Sequence, residues 1–281
     1  MKINISRTKR VGSALALAAA LLVTAGAKVN ADLVYGVNDQ LGELVSFNST
    51  TPGSLLSAHA ISGMQPGEQL RGIDWIGNTL YGLGDQSHLY TINPNTAAAT
   101  PVGAAFTPIL DGVDFGFTAG PSQLYVCSDL GQNETINPST ASATALPNYT
   151  GAALDAMTYD PLNGLFYGIS ADTEDVYLVN PATGAASLVG PTGVDFADEI
   201  GFDIAPSTGS AYFSGTVDGQ TEFFTVNLAT AALTLVGDVG TPGDLTSGLQ
   251  AIAVAPVPEP ATTGLFVIGG GMALNMRRRK R

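Results

Sequence analysis

The 281-residue chain holds 34 Gly and 16 Pro but only 11 Lys or Arg against 24 Asp or Glu, a formal net charge of −13. Scarce Glu, Lys and Arg beside abundant turn formers exclude a long-helix or coiled-coil protein, and 45% hydrophobic residues exclude wholesale disorder. All acids but Glu259 fall in 32–256, where Arg71 is the only base, so that segment repels nucleic acid and anionic lipid and suits cations, cationic groups or neutral sugars.

The first element in chain order is of the export type. Lys2, Arg7, Lys9 and Arg10 form a basic start, Val11 to Ala25 is an apolar run too short to span a bilayer comfortably, and small residues follow. Cleavage fits after Ala27 or after Ala31. The second is preferred, making Asp32 the first mature residue, because strand-like sequence begins at Leu33.

From residue 32 the sequence repeats. Asn-x-x-Thr recurs as Asn48/Thr51, Asn93/Thr96, Asn137/Thr140, Asn180/Thr183 and Asn227/Thr230, and a Tyr in a β-rich run recurs as Tyr35, Tyr81, Tyr125, Tyr167 and Tyr212. Three of the turns read Asn-Pro-x-Thr, in which Pro fixes φ and the Asn side chain bonds the backbone just beyond. Each unit of about 45 residues parses into four short strands, which marks a β-propeller blade. In the second unit these are Leu70 to Ile76, Thr79 to Gly84, His88 to Asn93 and Thr100 to Phe106; in the fourth, Asp155 to Tyr159, Leu165 to Ser170, Asp175 to Asn180 and Ala185 to Val189. The first unit lacks its first strand, and Leu249 to Val254 supplies it from the far end. The expectation is therefore an all-β, five-bladed propeller over 32–256, with the first blade closed by the C-terminal strand of the core. Over the same residues the chain resembles an uncharacterised domain family of secreted bacterial proteins, whose Leu-Tyr-x-Ile-Asn-Pro-x-Thr-Gly unit is seen here as Leu89 to Thr96 and, more loosely, as Val226 to Thr230. That resemblance implies the fold and no activity.

A third register is acidic. Glu68, Asp111, Asp155, Glu199 and Asp244 precede the first strand of each blade, while Asp39, Asp85, Asp129, Asp172 and Asp218 follow the Tyr series. In a four-stranded blade both positions fall on one face, the first set around the channel mouth, and hard cations take carboxylate oxygens; Ca²⁺ is the cofactor such a face would hold. Asp is also a good β-turn residue, and the chain has no compact Asp-x-Asp-x-Asp-Gly loop, so solvated turn carboxylates are the competing reading. His59 and His88 lie in different units, which excludes a His-rich zinc site. Cys127, alone and within a strand, reads as a buried small hydrophobe. Asp195, Asp198 and Glu199 cluster locally, Arg71 is expected to pair with a neighbouring acid such as Asp74, and Trp75 and the Tyr series are expected to pack between blades.

The chain finishes with Val257-Pro258-Glu259-Pro260, sixteen mostly apolar residues and Arg277-Arg278-Arg279-Lys280-Arg281. At ~1.5 Å per residue the apolar stretch falls short of a ~30 Å hydrocarbon core. The order resembles the PEP-CTERM sorting signal of Gram-negative exoproteins. That resemblance implies processing by an exosortase, transient residence in the inner membrane and a final place at the cell surface or in the extracellular matrix. The expected function is a monomeric, non-catalytic propeller that binds cations, polysaccharide or a surface protein; the alternative left open is a calcium-dependent hydrolase of the lactonase kind or a lyase.

Overall fold

The Asn turns form as their chemistry requires. The Oδ1 atoms of Asn93, Asn137, Asn180 and Asn227 accept the backbone N–H two residues on, from Asn95, Ser139, Ala182 and Ala229, at 2.9, 2.9, 3.0 and 3.0 Å. Each turn reverses the chain between the third and fourth strands of a blade. The computed structural model describes residues 31–38, 40–197, 199–241, 245 and 248–256. The export segment and the C-terminal tail, including Val257 to Pro260 and Arg277 to Arg279, lie outside them.

Blade 1 contains β1 (Leu33–Asn38), β2 (Glu43–Asn48) and β3 (Thr51–Ala60). Blade 2 comprises β4 (Leu70–Ile76), β5 (Thr79–Gly84), β6 (His88–Ile92) and β7 (Ala99–Val102), and blade 3 comprises β8 (Phe115–Ala119), β9 (Leu124–Ser128), β10 (Asn133–Ile136) and β11 (Ala143–Ala145). Blade 4 follows with β12 (Ala156–Asp160), β13 (Leu165–Ser170), β14 (Asp175–Asn180) and β15 (Ala185–Pro191), and blade 5 with β16 (Gly201–Ile204), β17 (Ala211–Val217), β18 (Gln220–Val226) and β19 (Leu233–Asp238). The last strand, β20 (Ala251–Val254), pairs antiparallel with β1 in the register Val34↔Val254 and Gly36↔Ile252, so blade 1 reads β20-β1-β2-β3. The described residues thus form five four-stranded antiparallel blades, and their inner strands meet in the closed order β20, β4, β8, β12, β16 and back to β20.

The hydrophobic core is divided among the seams between blades. Tyr35, Val37 and Leu44 of blade 1 pack with Leu70, Ile73 and Tyr90 of blade 2, and clusters of the same kind fill the other four seams. Aromatic rings bridge the seams, Phe47 to Phe223 at 5.1 Å and Tyr35 to Trp75 at 5.7 Å, as the spacing of the Tyr series leads one to expect. Along the axis, small residues let the inner strands close in. A Cβ on Gly116 would lie 2.5 Å from Met157 N, and one on Gly201 2.8 Å from Ile252 N. The void left between them is about 10 Å³, room for one water at most.

Two faces follow from this topology. On the acidic face the chain arrives at each inner strand and turns from the second strand to the third. The opposite, turn face carries the first hairpin of each blade and the Asn turns. Residues 31–32 and 255–256 occupy, in blade 1, the place that the first hairpin has in the other blades, so the chain joins and leaves the ring on the turn face.

Candidate functional site

On the acidic face Glu68 and Asp155 of the first register and Asp85 and Asp129 of the second are engaged with their own blades. Glu68 is buried; Oε1 accepts the Gln86 N–H at 3.0 Å and meets His88 Nδ1 at 3.2 Å, while Oε2 accepts the Tyr90 hydroxyl. Asp85 Oδ1 accepts Gln69 N–H and Asp129 Oδ1 accepts Val113 N–H, both at 3.1 Å, and Asp155 Oδ2 accepts Ala171 N–H at 2.6 Å. Each of these amide bonds ties the segment leading into an inner strand to the turn after the second strand, so in blades 2, 3 and 4 an acid of one register or the other staples the two together. Burial, with the charges of Asp114, Asp172 and Asp129, pushes the Asp155 carboxyl up to about 6. Asp111 is exposed and Glu199 half-buried, Asp172, Asp195 and Asp218 are exposed, and Asp39, Asp198 and Asp244 lie outside the described residues. Among the described residues no three His, Cys, Asp or Glu side chains come together to hold a metal ion. Of the calcium set, Glu68, Asp111, Asp155 and Glu199 therefore stand one to a blade, without a shared centre.

Arg71 does not pair with Asp74. Its Nε lies 3.8 Å from Asp85 Oδ2, and Nη2 donates to Gln69 Oε1 at 2.9 Å. Three residues of strand, roughly 10 Å, separate Arg71 from Asp74, which puts them toward opposite faces of the disc. Cys127 is buried, with Sγ 3.5 Å from Leu154 O, and burial pushes its thiol far up, as suits a packing residue.

The most concentrated chemistry lies on the turn face, at the axis. Inner strands have free amides along the edge that looks inward, and buried amides need acceptors. Asp74, Thr118, Thr158 and Asp203 sit at equivalent places on β4, β8, β12 and β16 and supply them. Asp74 Oδ2 accepts Ala119 N–H at 2.6 Å and Thr118 Oγ1–H at 3.0 Å, and Thr118 Oγ1 accepts Tyr159 N–H at 3.1 Å. Thr158 Oγ1 donates to Asp203 Oδ1 at 3.0 Å, and Asp203 Oδ2 accepts Val254 N–H at 2.6 Å. Four of the five seams are laced in this way; Ala253 takes the equivalent place on β20.

Each aspartate also accepts the next amide of its own strand, from Trp75 at 2.6 Å and Ile204 at 2.7 Å. A carboxylate offers about four lone-pair sites, so three bonds leave about one on each. Both residues are buried. Desolvation raises Asp74 to about 6 against its three hydrogen bonds, and desolvation together with the charge of Asp74 raises Asp203 well above the usual carboxylate range. The pair forms part of the lining of an open pocket of about 330 Å³ to which all five blades contribute, among them Trp75, Pro121, Tyr159, Pro206 and Val254. Rings on the walls and carboxylates within reach are suited to a ligand with apolar faces and O–H or N–H donors.

Asp74 and Asp203 were not among the acids that repetition singles out. A signal was present: small-apolar-polar triplets recur as Gly72-Ile73-Asp74, Gly116-Phe117-Thr118, Ala156-Met157-Thr158 and Gly201-Phe202-Asp203. An Asp between apolar residues in a strand run is a candidate buried carboxylate.

Fold and site together define a five-bladed β-propeller with an axial pocket on its turn face. Residues 43–249 match the family described as Domain of unknown function (DUF4394), and the chain belongs to that family. Among solved structures, it is similar to a protein of unknown function from Bacteroides thetaiotaomicron VPI-5482, at 16% identity and a TM-score of 0.54 over 81% of this chain and 68% of that one. It is also similar to a chain of a nidogen/laminin complex, at 12% identity and a TM-score of 0.49 over 80% and 98%. The first likeness is one of fold alone. No curated protein matches the chain. Among the described residues no helix is long and apolar enough to cross a membrane.

Proposed function

We propose that the chain is an exported binding module of the cell surface or extracellular matrix, and that its axial pocket holds a carbohydrate. The observation that carries this reading is the juxtaposition of Trp75 and Tyr159 with two buried carboxylates in one open pocket. Aromatic rings cover the C–H faces of sugars, and carboxylate lone pairs take their hydroxyls or an ammonium group. An acidic core with Arg71 as its single base is a poor host for anionic polymers. The basic-then-apolar start and the Pro-Glu-Pro, apolar, basic finish support export and exosortase sorting. Because the chain leaves the ring on the turn face, a protein held by its tail would bring the pocket to the layer in which it is held.

The test uses a built-in reporter. Trp75 is the only tryptophan in the chain and forms part of the pocket wall. Titration with glucose, N-acetylglucosamine and glucosamine is expected to give a saturable change in its fluorescence, lost in Tyr159→Ala. A flat response to all three sugars, with the protein folded, would remove the axial pocket as a sugar site.

A further inference from the structure

We propose that the ligand of the axial pocket is a linear, uncharged polysaccharide whose chain continues outward along the seam between blades 3 and 4. This rests on the carbohydrate reading above and adds the polymer and its path. A cavity of about 590 Å³ opens on that seam. It lies beside the first hairpin and the Asn turn of blade 4, hence on the same turn face as the axial pocket. Tyr125, Phe166, Leu165 and Leu178 give it an apolar lining, with Thr135 and Ser187 as polar groups. Leu165 and Leu178 are 39% and 37% exposed. No carboxylate or basic group lines it, although 32–256 carries nearly all of the chain's acids. A groove kept neutral in so acidic a domain suits a neutral occupant.

The two cavities share a wall. Tyr159 of the axial pocket meets Phe166 in a tilted contact with ring centroids 4.7 Å apart, and Phe166 meets Tyr125, also tilted, at another 4.7 Å, so one aromatic row runs from the axis to the seam. Gly120, in the first hairpin of blade 3, forms part of the axial pocket, and a Cβ there would run into the Tyr125 ring and stand 3.2 Å from Phe166 Cζ. Gly164, on the seam side, comes within contact distance of the Tyr159 hydroxyl, 3.9 Å from where its Cβ would be. A β-linked sugar chain is a ribbon with C–H faces for such a row, hydroxyl edges for Thr135 and Ser187, and donors for the carboxylates at the axial end. A proline-rich peptide would also fill an aromatic row but brings no side-chain donors to Asp74 and Asp203.

The experiment is a chain-length series on the full chain, with Trp75 fluorescence as readout and β-1,4-linked glucose oligomers from one to six units as probes. Affinity is expected to rise by at least about tenfold from monomer to hexamer, since extra contacts are made without a second loss of rigid-body freedom. Tyr125→Ala and Leu178→Gln should each bring the hexamer back to within roughly threefold of the monomer. Leu178 is part-exposed, so its variant serves if Tyr125→Ala fails to fold. Monomer binding without a gain in length, or a gain that survives both variants, would overturn the polymer path and leave the axial site standing. A proline-rich peptide that displaces the bound hexamer through the seam residues would overturn it in favour of a protein partner. Silence from every sugar would overturn the axial reading itself.

Discussion

Asp74 and Asp203 hold four backbone or hydroxyl donors from neighbouring blades and are raised by burial, so they tie the stability of the ring to pH. Asp155 is raised to about 6, and Glu134, buried with Oε2 lacking a partner, to about 7. A carboxyl whose folded value lies above its unfolded one binds more protons in the folded state. Its contribution is fully present below the unfolded value, near 4, and is lost as pH rises through the folded one. The melting temperature is therefore expected to be several degrees higher at pH 5 than at pH 7.5, and Asp74→Asn should flatten part of that slope. A midpoint that rises from pH 5 to 7.5 would contradict the assignment. The acidic face leads to a different expectation. Because Glu68, Asp85, Asp129 and Asp155 are spent on amides and no three acids gather among the described residues, millimolar Ca²⁺ and Mg²⁺ should raise the midpoint by equal, small amounts through screening. A rise specific to Ca²⁺ would support the metal reading of Glu68, Asp111, Asp155, Glu199 and Asp244.

The strands show why some of this was legible in the sequence and some was not. The Asn turns and the paired hairpins were, because an Asn reaches an amide two residues away and the signal is local. Nearly all the strand limits expected for blades 2 and 4 lie within a residue or two of those observed; only the outermost strand of blade 2 ends markedly earlier. The lacing by Asp74 and Asp203 was obscured, because the partners Ala119 and Val254 lie 45 and 51 residues along the chain. The acidic registers were visible, but repetition alone does not separate an acid that staples a turn from one that faces a ligand. Gly116 gives a direct test of how inner strands pack. A methyl group there would lie 2.5 Å from Met157 N and 2.6 Å from Cys127 Sγ. Gly116→Ala is therefore expected to cost about 1–3 kcal/mol by overpacking, read as a shift of the urea midpoint. Gly42→Ala, with nothing near its Cβ, meets only the strain of its positive φ and should cost less.

For the ring as a whole, closure depends on four residues from the far end of the core. β20 pairs with β1, completes the circle of inner strands and brings Ile252 and Val254 into the seam between blades 1 and 5. Burying two such side chains is worth about 1.5–3 kcal/mol each. The Val254 N–H also donates to the Asp203 carboxylate, so losing it leaves a buried acid without one of its donors. Together these terms approach the 5–15 kcal/mol that holds a typical domain folded. A chain stopped after Gln250 should therefore lose its cooperative melt and associate through the exposed edge of β1, whereas a chain stopped after Pro256 should melt as the full chain does. Circular dichroism melts and light scattering on the two truncations distinguish the cases. If both melted at the same temperature as monomers, the ring would be held by its seams alone, and the pairing of first and last strands would be incidental to its stability.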